Sequence, residues 1–228
     1  MTVDRVAVVT PVYGNAPTIE ELTHRVETAL DQIPARWSLR FVVDASPDDS
    51  LAVARRLAAT DLRLSVTSLT ANVGQNRALL TGLGAEEDGG ADAWVCLDAD
   101  LQDPPEAMPA LLARLAQGDV SVVFAGRRGA YESRSRLVGG KVHRAAMARL
   151  TGLPADAGAF LAMDRAARDT LLHLSPPGIV AGIGAARIPA TSVPVVRAPR
   201  ASGRSAWTAA ARLRQSGRTL AWAWQARP

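Results

Sequence analysis

The chain has 228 residues, 48% of them hydrophobic, and a formal net charge of +4. This length allows one α/β domain with a substantial core and is short for two ordinary domains. No apolar run reaches the roughly 18 residues that a transmembrane helix needs, and no signal peptide opens the chain, so we expect a cytoplasmic protein. The single cysteine, Cys96, excludes a disulfide framework.

Strands and helices alternate regularly through the first half of the chain. Apolar runs bounded by turn residues predict strands over residues 5–9, 39–44, 62–69, 93–97 and 120–125. Apolar residues at helical spacing, with helix-start residues before them, predict helices over residues 18–33, 51–59, 75–85 and 105–115. This alternation predicts a doubly wound, mostly parallel α/β sheet.

The second half is less regular. We predict helices over residues 134–150, 165–173 and 206–224, a short strand over residues 160–163 and an edge strand over residues 188–196. No acidic residue follows Asp169, whereas eight arginines do, and this basic tail predicts an anionic partner. The last helix suits either peripheral contact with an anionic membrane surface or packing with a solvated basic rim.

The most informative motif follows the fourth predicted strand and runs Asp-Ala-Asp-Leu-Gln-Asp-Pro-Pro-Glu from residue 98 to residue 106. In open α/β sheets, ligands bind beyond the carboxyl ends of such strands. Asp98 and Asp100 stand two residues apart on extended backbone, so both side chains point the same way and can share one cation. Mg²⁺ and Mn²⁺ take oxygen ligands, often one or two carboxylates plus substrate phosphates. The motif therefore suits a metal ion that bridges a diphosphate.

This motif resembles the metal-binding motif of glycosyltransferase family 2, in particular the branch of dolichyl-phosphate mannose synthase and polyprenyl-phosphate glycosyltransferases. The resemblance implies a GT-A-like, Rossmann-like fold in one domain over residues 1–228. Residues 1–130 would form the nucleotide-sugar half and residues 131–228 the acceptor half. The implied ligands of Mg²⁺ or Mn²⁺ are Asp98, Asp100 and Gln102, with Asp98 also beside the donor.

Two further segments resemble the family's nucleotide-binding loops. Pro11 and Tyr13 match a loop that lies against the base, although Gly14 and Asn15 replace the family's Asn-Glu. Asp44 ends the second predicted strand, where a carboxylate can accept hydrogen bonds from uracil or guanine. The implied donor is therefore a UDP-sugar or a GDP-sugar.

Other segments resemble the family's diphosphate and acceptor loops. Arg127 follows the fifth predicted strand, where the family carries an arginine near the diphosphate. Arg200 and Ser205 match a segment that closes over the diphosphate, and Arg200 can offset charge on the leaving group. Asp156 matches a loop on the acceptor side and is the candidate catalytic base.

The resemblance implies metal-dependent sugar transfer with inversion at the anomeric carbon. A phosphate acceptor needs no base, whereas a hydroxyl acceptor would use Asp156. We favour a small-molecule or carrier-bound acceptor of the natural-product type; the alternative is a polyprenyl phosphate reached by peripheral membrane contact. A catalytically weak scaffold or partner subunit is a third hypothesis, because Val43, Asn15 and Ala159 replace carboxyl groups of the family. We expect no nucleic-acid partner, and a homodimer is left open.

Overall fold

The computed structural model describes residues 1–85, 90–128 and 152–197, with the backbone alone for residues 127 and 128. The helices predicted over residues 134–150 and 206–224 lie outside the described residues, as do Arg200 and Ser205. Among the described helices, none has the length and apolar character needed to cross a bilayer.

Seven strands of the described residues form one sheet in the order β3-β2-β1-β4-β6-β5-β7. Neighbouring strands are parallel except for β6, which runs antiparallel to both β4 and β5. The strands are β1 Arg5–Val12, β2 Arg36–Asp44, β3 Leu64–Leu69, β4 Ala93–Cys96, β5 Val122–Arg128, β6 Leu161–Asp164 and β7 Ala190–Val196. The mostly parallel α/β sheet predicted from the sequence is therefore confirmed.

Six α-helices of the described residues connect or cover these strands. They are α1 Ile19–Leu30, α2 Ser50–Ala58, α3 Gln75–Gly84, α4 Met108–Leu115, α5 Arg165–Leu174 and α6 Ile179–Ala185. The helix predicted over residues 105–115 divides into a 3₁₀ turn, Pro105–Ala107, followed by α4. Helix α6 was not predicted, because its two glycines weaken the helical pattern. Gly182 is needed there, since a Cβ atom would lie 2.5 Å from Pro176 and 2.7 Å from Leu171.

The core consists of two apolar layers, one on each face of the sheet. Alternate residues of β1 enter different layers, with Val8 among α1 and α4 and Val9 against α3 and β4. Gly82 lets α3 approach the sheet closely, because a Cβ atom there would collide with the side chains of Val9 and Val42. This close contact makes α3 a firm support for the loop that precedes it.

At the end of the sheet formed by β5 and β7, one finding corrects the prediction for Arg127 and another confirms the predicted edge strand. Strand β5 continues through Gly126, Arg127 and Arg128, which pair with β7, so these residues end the strand and do not follow it. Pro194 lies inside β7 and is tolerated because β7 is an edge strand of the described sheet. The antiparallel insertion of β6 brings the segment before Leu161 to the edge where β4 and β5 end.

Candidate active site

The carboxyl ends of the parallel strands and the entry to β6 meet along one edge of the sheet. Asp44 is the last residue of β2, and Asp98 comes two residues after the end of β4. Cys96 of β4 pairs with Leu161 at the start of β6, so the loop that contains Asp156 reaches the same edge. The sequence-predicted site residues of both halves therefore converge there.

The acidic loop after β4 is held in a specific shape. The backbone of Leu101 is left-handed (φ 59°), and its side chain is buried in the core. A left-handed non-glycine residue costs roughly 1–2 kcal/mol, so burial of the side chain must hold the turn in place. The Gln102 N–H donates to Asp100 Oδ1 at 3.1 Å, and the Thr18 hydroxyl donates to the Ala99 carbonyl at 2.6 Å. The first bond holds the turn after Asp100, and the second fastens the acidic loop to the start of α1.

The donor set of this loop fits a hard divalent cation. Asp98 and Asp100 are partly buried carboxylates on one short segment, and Gln102, two residues further along, carries an amide oxygen. Within the described residues there is no group of three or more His, Cys, Asp or Glu side chains that would hold a metal without help. Two carboxylates suit Mg²⁺ or Mn²⁺ when substrate phosphates supply further ligands. The residues thus fit the metal role implied by the sequence.

Cys96, just before this loop, has no thiol chemistry of its own. Complete burial, and to a smaller extent the charge of Asp98, raise the pKa of the Cys96 thiol to about 12. The thiol stays protonated and serves as a small core side chain.

Asp44 is buried, and both of its oxygens accept hydrogen bonds from the loop after β3. The donors are the backbone N–H groups of Val73 at 2.7 Å and Gly74 at 2.8 Å. Gly74 takes a left-handed backbone (φ 86°) that favours glycine. Next along the chain, the Gln75 side-chain amide donates to Asp98 Oδ1 at 2.5 Å. This loop, in which the sequence predicted no site residue, therefore contacts both Asp44 and Asp98.

The loop after β1 is fastened to the loop after β2 through Asp48. Tyr13 is 42% exposed and Pro11 is partly buried at this edge. Four consecutive backbone N–H groups find side-chain acceptors, in the pairs Tyr13 to Asn15, Gly14 to Ser46, Asn15 to Ser50 and Ala16 to Asp48. Asp48 in turn accepts from the hydroxyls of Ser46 and Ser50 at 2.6 and 2.5 Å.

These hydrogen bonds change the acidity of Asp48. Partial loss of hydration raises the pKa of Asp48, but the hydrogen bonds from Ser46, Ser50 and the Ala16 N–H outweigh it and lower the pKa to about 2. Asp48 was not among the site residues predicted from the sequence. The signal that could have revealed its role is the Ser-Pro-Asp-Asp-Ser segment, which places two hydroxyls beside one carboxylate.

Asp156 lies against the end of β5. A Cβ atom at Gly126 would collide with Asp156 Oδ2 and would lie 2.9 Å from Asp156 Cγ. Ser192 of β7 is the other close neighbour, at 3.2 Å from the same Cβ position. A side chain at residue 126 would therefore force this carboxylate to move. Asp156 is thus placed beside the end of β5, and its contact with Gly126 was not predicted.

A buried ion pair joins the acidic motif to β7. Arg197 donates to Asp103 Oδ1 at 2.7 Å through Nε and to Oδ2 at 3.2 Å through Nη2. The Asp103 side chain is only 4% exposed and that of Arg197 is 20% exposed. This bidentate pair connects residues 94 positions apart and was not predicted.

The described structure thus brings together Pro11, Tyr13, Asp44, Asp98, Asp100, Gln102 and Asp156 along one edge of the sheet. For Arg127 it describes the backbone at the end of β5. Arg200 and Ser205 lie outside the described residues.

Comparison with known proteins agrees with this arrangement. The profile of Glycosyl transferase family 2 matches residues 7–168. An undecaprenyl-phosphate 4-deoxy-4-formamido-L-arabinose transferase of Sodalis glossinidius is 35% identical over 176 residues, which cover 76% of this chain and 53% of that protein. A protein of the same name from Salmonella choleraesuis is 32% identical over 213 residues, which cover 90% of this chain and 63% of that protein. The chain therefore spans less than two thirds of the length of these relatives.

Solved structures of similar fold include two glycosyltransferases. A mannosyltransferase from Pyrobaculum calidifontis, in complex with GDP-Man and Mn²⁺, has a TM-score of 0.68 at 24% identity and covers 97% of this chain and 64% of its own. The second is glucosyl-3-phosphoglycerate synthase from Mycobacterium tuberculosis, in complex with Mn²⁺, UDP and glucosyl-3-phosphoglycerate. The match has a TM-score of 0.69 at 20% identity and covers 99% of this chain and 81% of that chain. These likenesses confirm the predicted GT-A-like fold. Because the family profile covers well over half of the sequence, this chain belongs to glycosyltransferase family 2.

Proposed function

We propose that this chain transfers a sugar from a nucleoside-diphosphate sugar to a polyprenyl phosphate. The observation that carries the proposal is the pair of partly buried carboxylates, Asp98 and Asp100, directly beyond the end of β4. They stand between the base-side loops after β1 and β2 and the acceptor-side loop of Asp156. A diphosphate that spans from one side to the other would pass this pair.

The donor is a UDP-sugar or a GDP-sugar in this proposal. Pro11 and Tyr13 would lie against the base, and the exposed ring of Tyr13 offers a surface for that contact. Asp44 would approach the base edge, although both of its oxygens already accept a backbone N–H. Each carboxylate oxygen has a second lone pair, so such a contact stays compatible with the loop anchor.

The residues that would hold Mg²⁺ or Mn²⁺ are Asp98, Asp100 and Gln102. When bound, the cation would offset the negative charge of the leaving diphosphate. We further propose that Arg127 and Arg200 add positive charge there and that Ser205 contacts the diphosphate. A guanidinium group suits this role because its fixed donors match phosphate oxygens.

The proposed acceptor is based on the names of the relatives. Two relatives at 32–35% identity are named as transferases to undecaprenyl phosphate. These names favour the polyprenyl-phosphate alternative over the natural-product acceptor that the sequence suggested first. A phosphate oxygen is already ionised and attacks without a general base. In that case Asp156 shapes the acceptor side and takes no proton.

A lipid acceptor has consequences for location. We propose peripheral contact at the cytoplasmic face of a membrane, with the basic helix predicted over residues 206–224 as the contact. A homodimer stays a proposal as well.

A transfer assay tests the proposal with purified protein, Mn²⁺ and radiolabelled UDP- or GDP-sugars. Undecaprenyl phosphate in detergent is one acceptor, and glycerol, as a soluble hydroxyl compound, is the other. We expect the wild type to transfer label into the organic phase. Asp100→Ala should lose this transfer, and Asp156→Asn should keep it. Label in a water-soluble product, lost in Asp156→Asn, would favour the small-molecule acceptor. Nucleotide binding without any transfer would favour the scaffold hypothesis.

A further inference from the structure

The loop between β3 and α3 contacts both Asp44, the carboxylate proposed to approach the base, and Asp98, a proposed metal ligand. Asp44 holds the backbone of Val73 and Gly74 at 2.7 and 2.8 Å. Gln75 follows at once and donates its side-chain Nε2 to Asp98 Oδ1 at 2.5 Å. Hydrogen bonds at both ends of the short segment from Val73 to Gln75 therefore connect Asp44 at the end of β2 with Asp98.

Gln75 is well placed to orient a neighbour. It is the first residue of α3, and the same helix is pressed onto β1 and β2 at Gly82. Its side chain is partly buried, so the amide has less freedom than one in open solvent. The backbone on its amino side is anchored by Asp44. The amide thus projects from a support that is fixed at both ends.

A carboxylate that binds a cation gains from such a partner. An aspartate side chain can rotate about two bonds, and a donor to one oxygen restricts that rotation before the cation arrives. A carboxylate offers about four acceptor positions, so one accepted hydrogen bond leaves coordination possible. Loss of a residue that orients a metal ligand typically weakens metal affinity by about 10- to 100-fold.

We propose that Gln75 is a positioning residue for Asp98 and that its side-chain amide sets the orientation in which this carboxylate meets a divalent cation. The inference rests on the proposed function for the presence of that cation. Gln75 itself is not a metal ligand in this proposal. Its neutral amide orients the carboxylate without cancelling its charge, whereas a lysine or arginine there would compete with the cation.

The neighbouring amide supplies a matched control. Asn76 accepts a hydrogen bond from the Ile179 N–H at 3.4 Å and so serves the start of α6. Gln75→Met and Asn76→Leu each replace an amide by an apolar side chain of similar size. Both remove a hydrogen bond near the start of α3, but only the first removes a contact with Asp98.

The experiment measures Mn²⁺ affinity by electron paramagnetic resonance, with inorganic pyrophosphate present in place of a nucleotide. Pyrophosphate has no base, so the readout reports the metal half of the site alone. We expect Gln75→Met to weaken Mn²⁺ binding by about 10-fold and Asn76→Leu to leave it within about 2-fold of the wild type. Gln75→Asn, which keeps the amide but is one carbon shorter, should behave like Gln75→Met and serves if that variant does not fold.

The outcomes separate the inference from the proposed function. Wild-type protein that binds no Mn²⁺ with pyrophosphate overturns the cation dependence of the proposed function and the role of Gln75 with it. Wild-type protein that binds Mn²⁺, with equal affinity in a folded Gln75 variant, overturns the role of Gln75 alone. Equal weakening in Asn76→Leu would also overturn it, because the effect would then belong to the fold of α3.

Discussion

Carboxylates have different partners in two described regions of the sheet, one at the amino ends of the parallel strands and one at their carboxyl ends. At the amino edge, Arg63 stacks on the Trp37 ring at 4.1 Å and pairs with Asp61 and Glu27 at 2.7 and 2.6 Å. At the carboxyl edge, Asp44 and Asp48 accept their described hydrogen bonds from backbone N–H groups and serine hydroxyls. In this amino-edge cluster arginine pairs with carboxylates, whereas neutral donors hold Asp44 and Asp48 at the carboxyl edge and order the loops there.

A second amino-edge cluster also uses arginine, here against an aromatic ring and backbone carbonyls. Arg165 and Arg168 lie over the Trp94 ring at 5.4 and 5.1 Å and donate to the carbonyls of Ala91 and Leu83. The two arginine side chains cover the Trp94 ring there, and their guanidinium groups satisfy backbone carbonyls. The comparison shows that arginine covers rings or pairs with carboxylates in the two amino-edge clusters, whereas backbone N–H groups and hydroxyls hold Asp44 and Asp48 at the edge where a cation and a diphosphate are proposed to bind. Two arginine pairs of the acidic motif are described at that edge, Asp103 with Arg197 and Glu106 with Arg25, and only the Asp103 side chain is fully buried.

The largest expected effect is on transfer activity, and it should differ between variants at the two edges. Asp100→Ala should lower transfer by about 10³-fold, equivalent to about 4 kcal/mol, because the proposed cation loses a ligand. Asp61→Ala removes a carboxylate at the amino edge and should leave transfer nearly unchanged. Initial rates at saturating donor compare the variants. Similar losses in both would show that the two edges do not differ in function.

The next effect separates the edges by stability. Asp103→Ala leaves Arg197 charged and largely buried, so we expect the free energy of unfolding to fall by about 3–5 kcal/mol. Glu27→Ala removes one partner of Arg63, which is 36% exposed, and should cost less than about 1 kcal/mol. Urea unfolding followed by tryptophan fluorescence measures both. A small loss in Asp103→Ala would contradict the view of this pair as an ion pair with a buried carboxylate.

A smaller effect concerns the base-side loop. In Asp48→Asn one oxygen becomes an N–H₂ group and leaves a donor such as the Ala16 N–H without an acceptor, which costs about 1–2 kcal/mol. Donor binding should therefore weaken by about 10-fold, with little change in the rate at saturating donor. Calorimetry with UDP and GDP measures the change, and Asp49→Asn is the control because Asp49 accepts none of the loop's N–H groups described above.

The pH dependence of this loop follows from the lowered pKa of Asp48. Its ordinary value is 3.8 and its value in the folded chain is about 2. A lowered pKa means that the charged form is favoured by folding, so its contribution is complete above about pH 4 and is lost as the pH falls towards 2. Hydrogen-exchange protection of the Gly14 to Ala16 amides should fall over that window. Loss of protection already near pH 6 would contradict the assignment.

The smallest effect tests backbone strain at each edge. Ala45 follows β2 with φ 49°, and Arg187 follows α6 at the opposite edge with φ 52°. Glycine accepts this conformation, so Ala45→Gly and Arg187→Gly should each raise the free energy of unfolding by about 0.5–1 kcal/mol. Only Ala45→Gly should alter donor affinity, since Ala45 adjoins the loop of Asp48. Thermal unfolding and donor calorimetry compare the two variants.

The sequence by itself determined most of the fold, and it also pointed to the acidic motif as the centre of the candidate site. Apolar periodicity is a local property, so the strands from β1 to β5 and the helices between them were predicted within a few residues. The acidic motif could be placed beyond β4 because the apolar run and the carboxylates are adjacent in the chain. Motif resemblance then added Pro11, Tyr13, Asp44 and Asp156, since each lies in a short segment with its own pattern.

Only the tertiary structure decided which residues hold these candidates in place. Gln75 meets Asp98 from 23 positions away, Asp48 meets Ala16 from 32, and Asp103 meets Arg197 from 94. The antiparallel insertion of β6, which brings Asp156 to the site, also lies beyond local pattern. Hydrogen bonds and ion pairs depend on direction and on separations of about 3 Å, and chain distance says nothing about either. Local periodicity predicts which residues are buried, whereas the assembled sheet determines which of them touch.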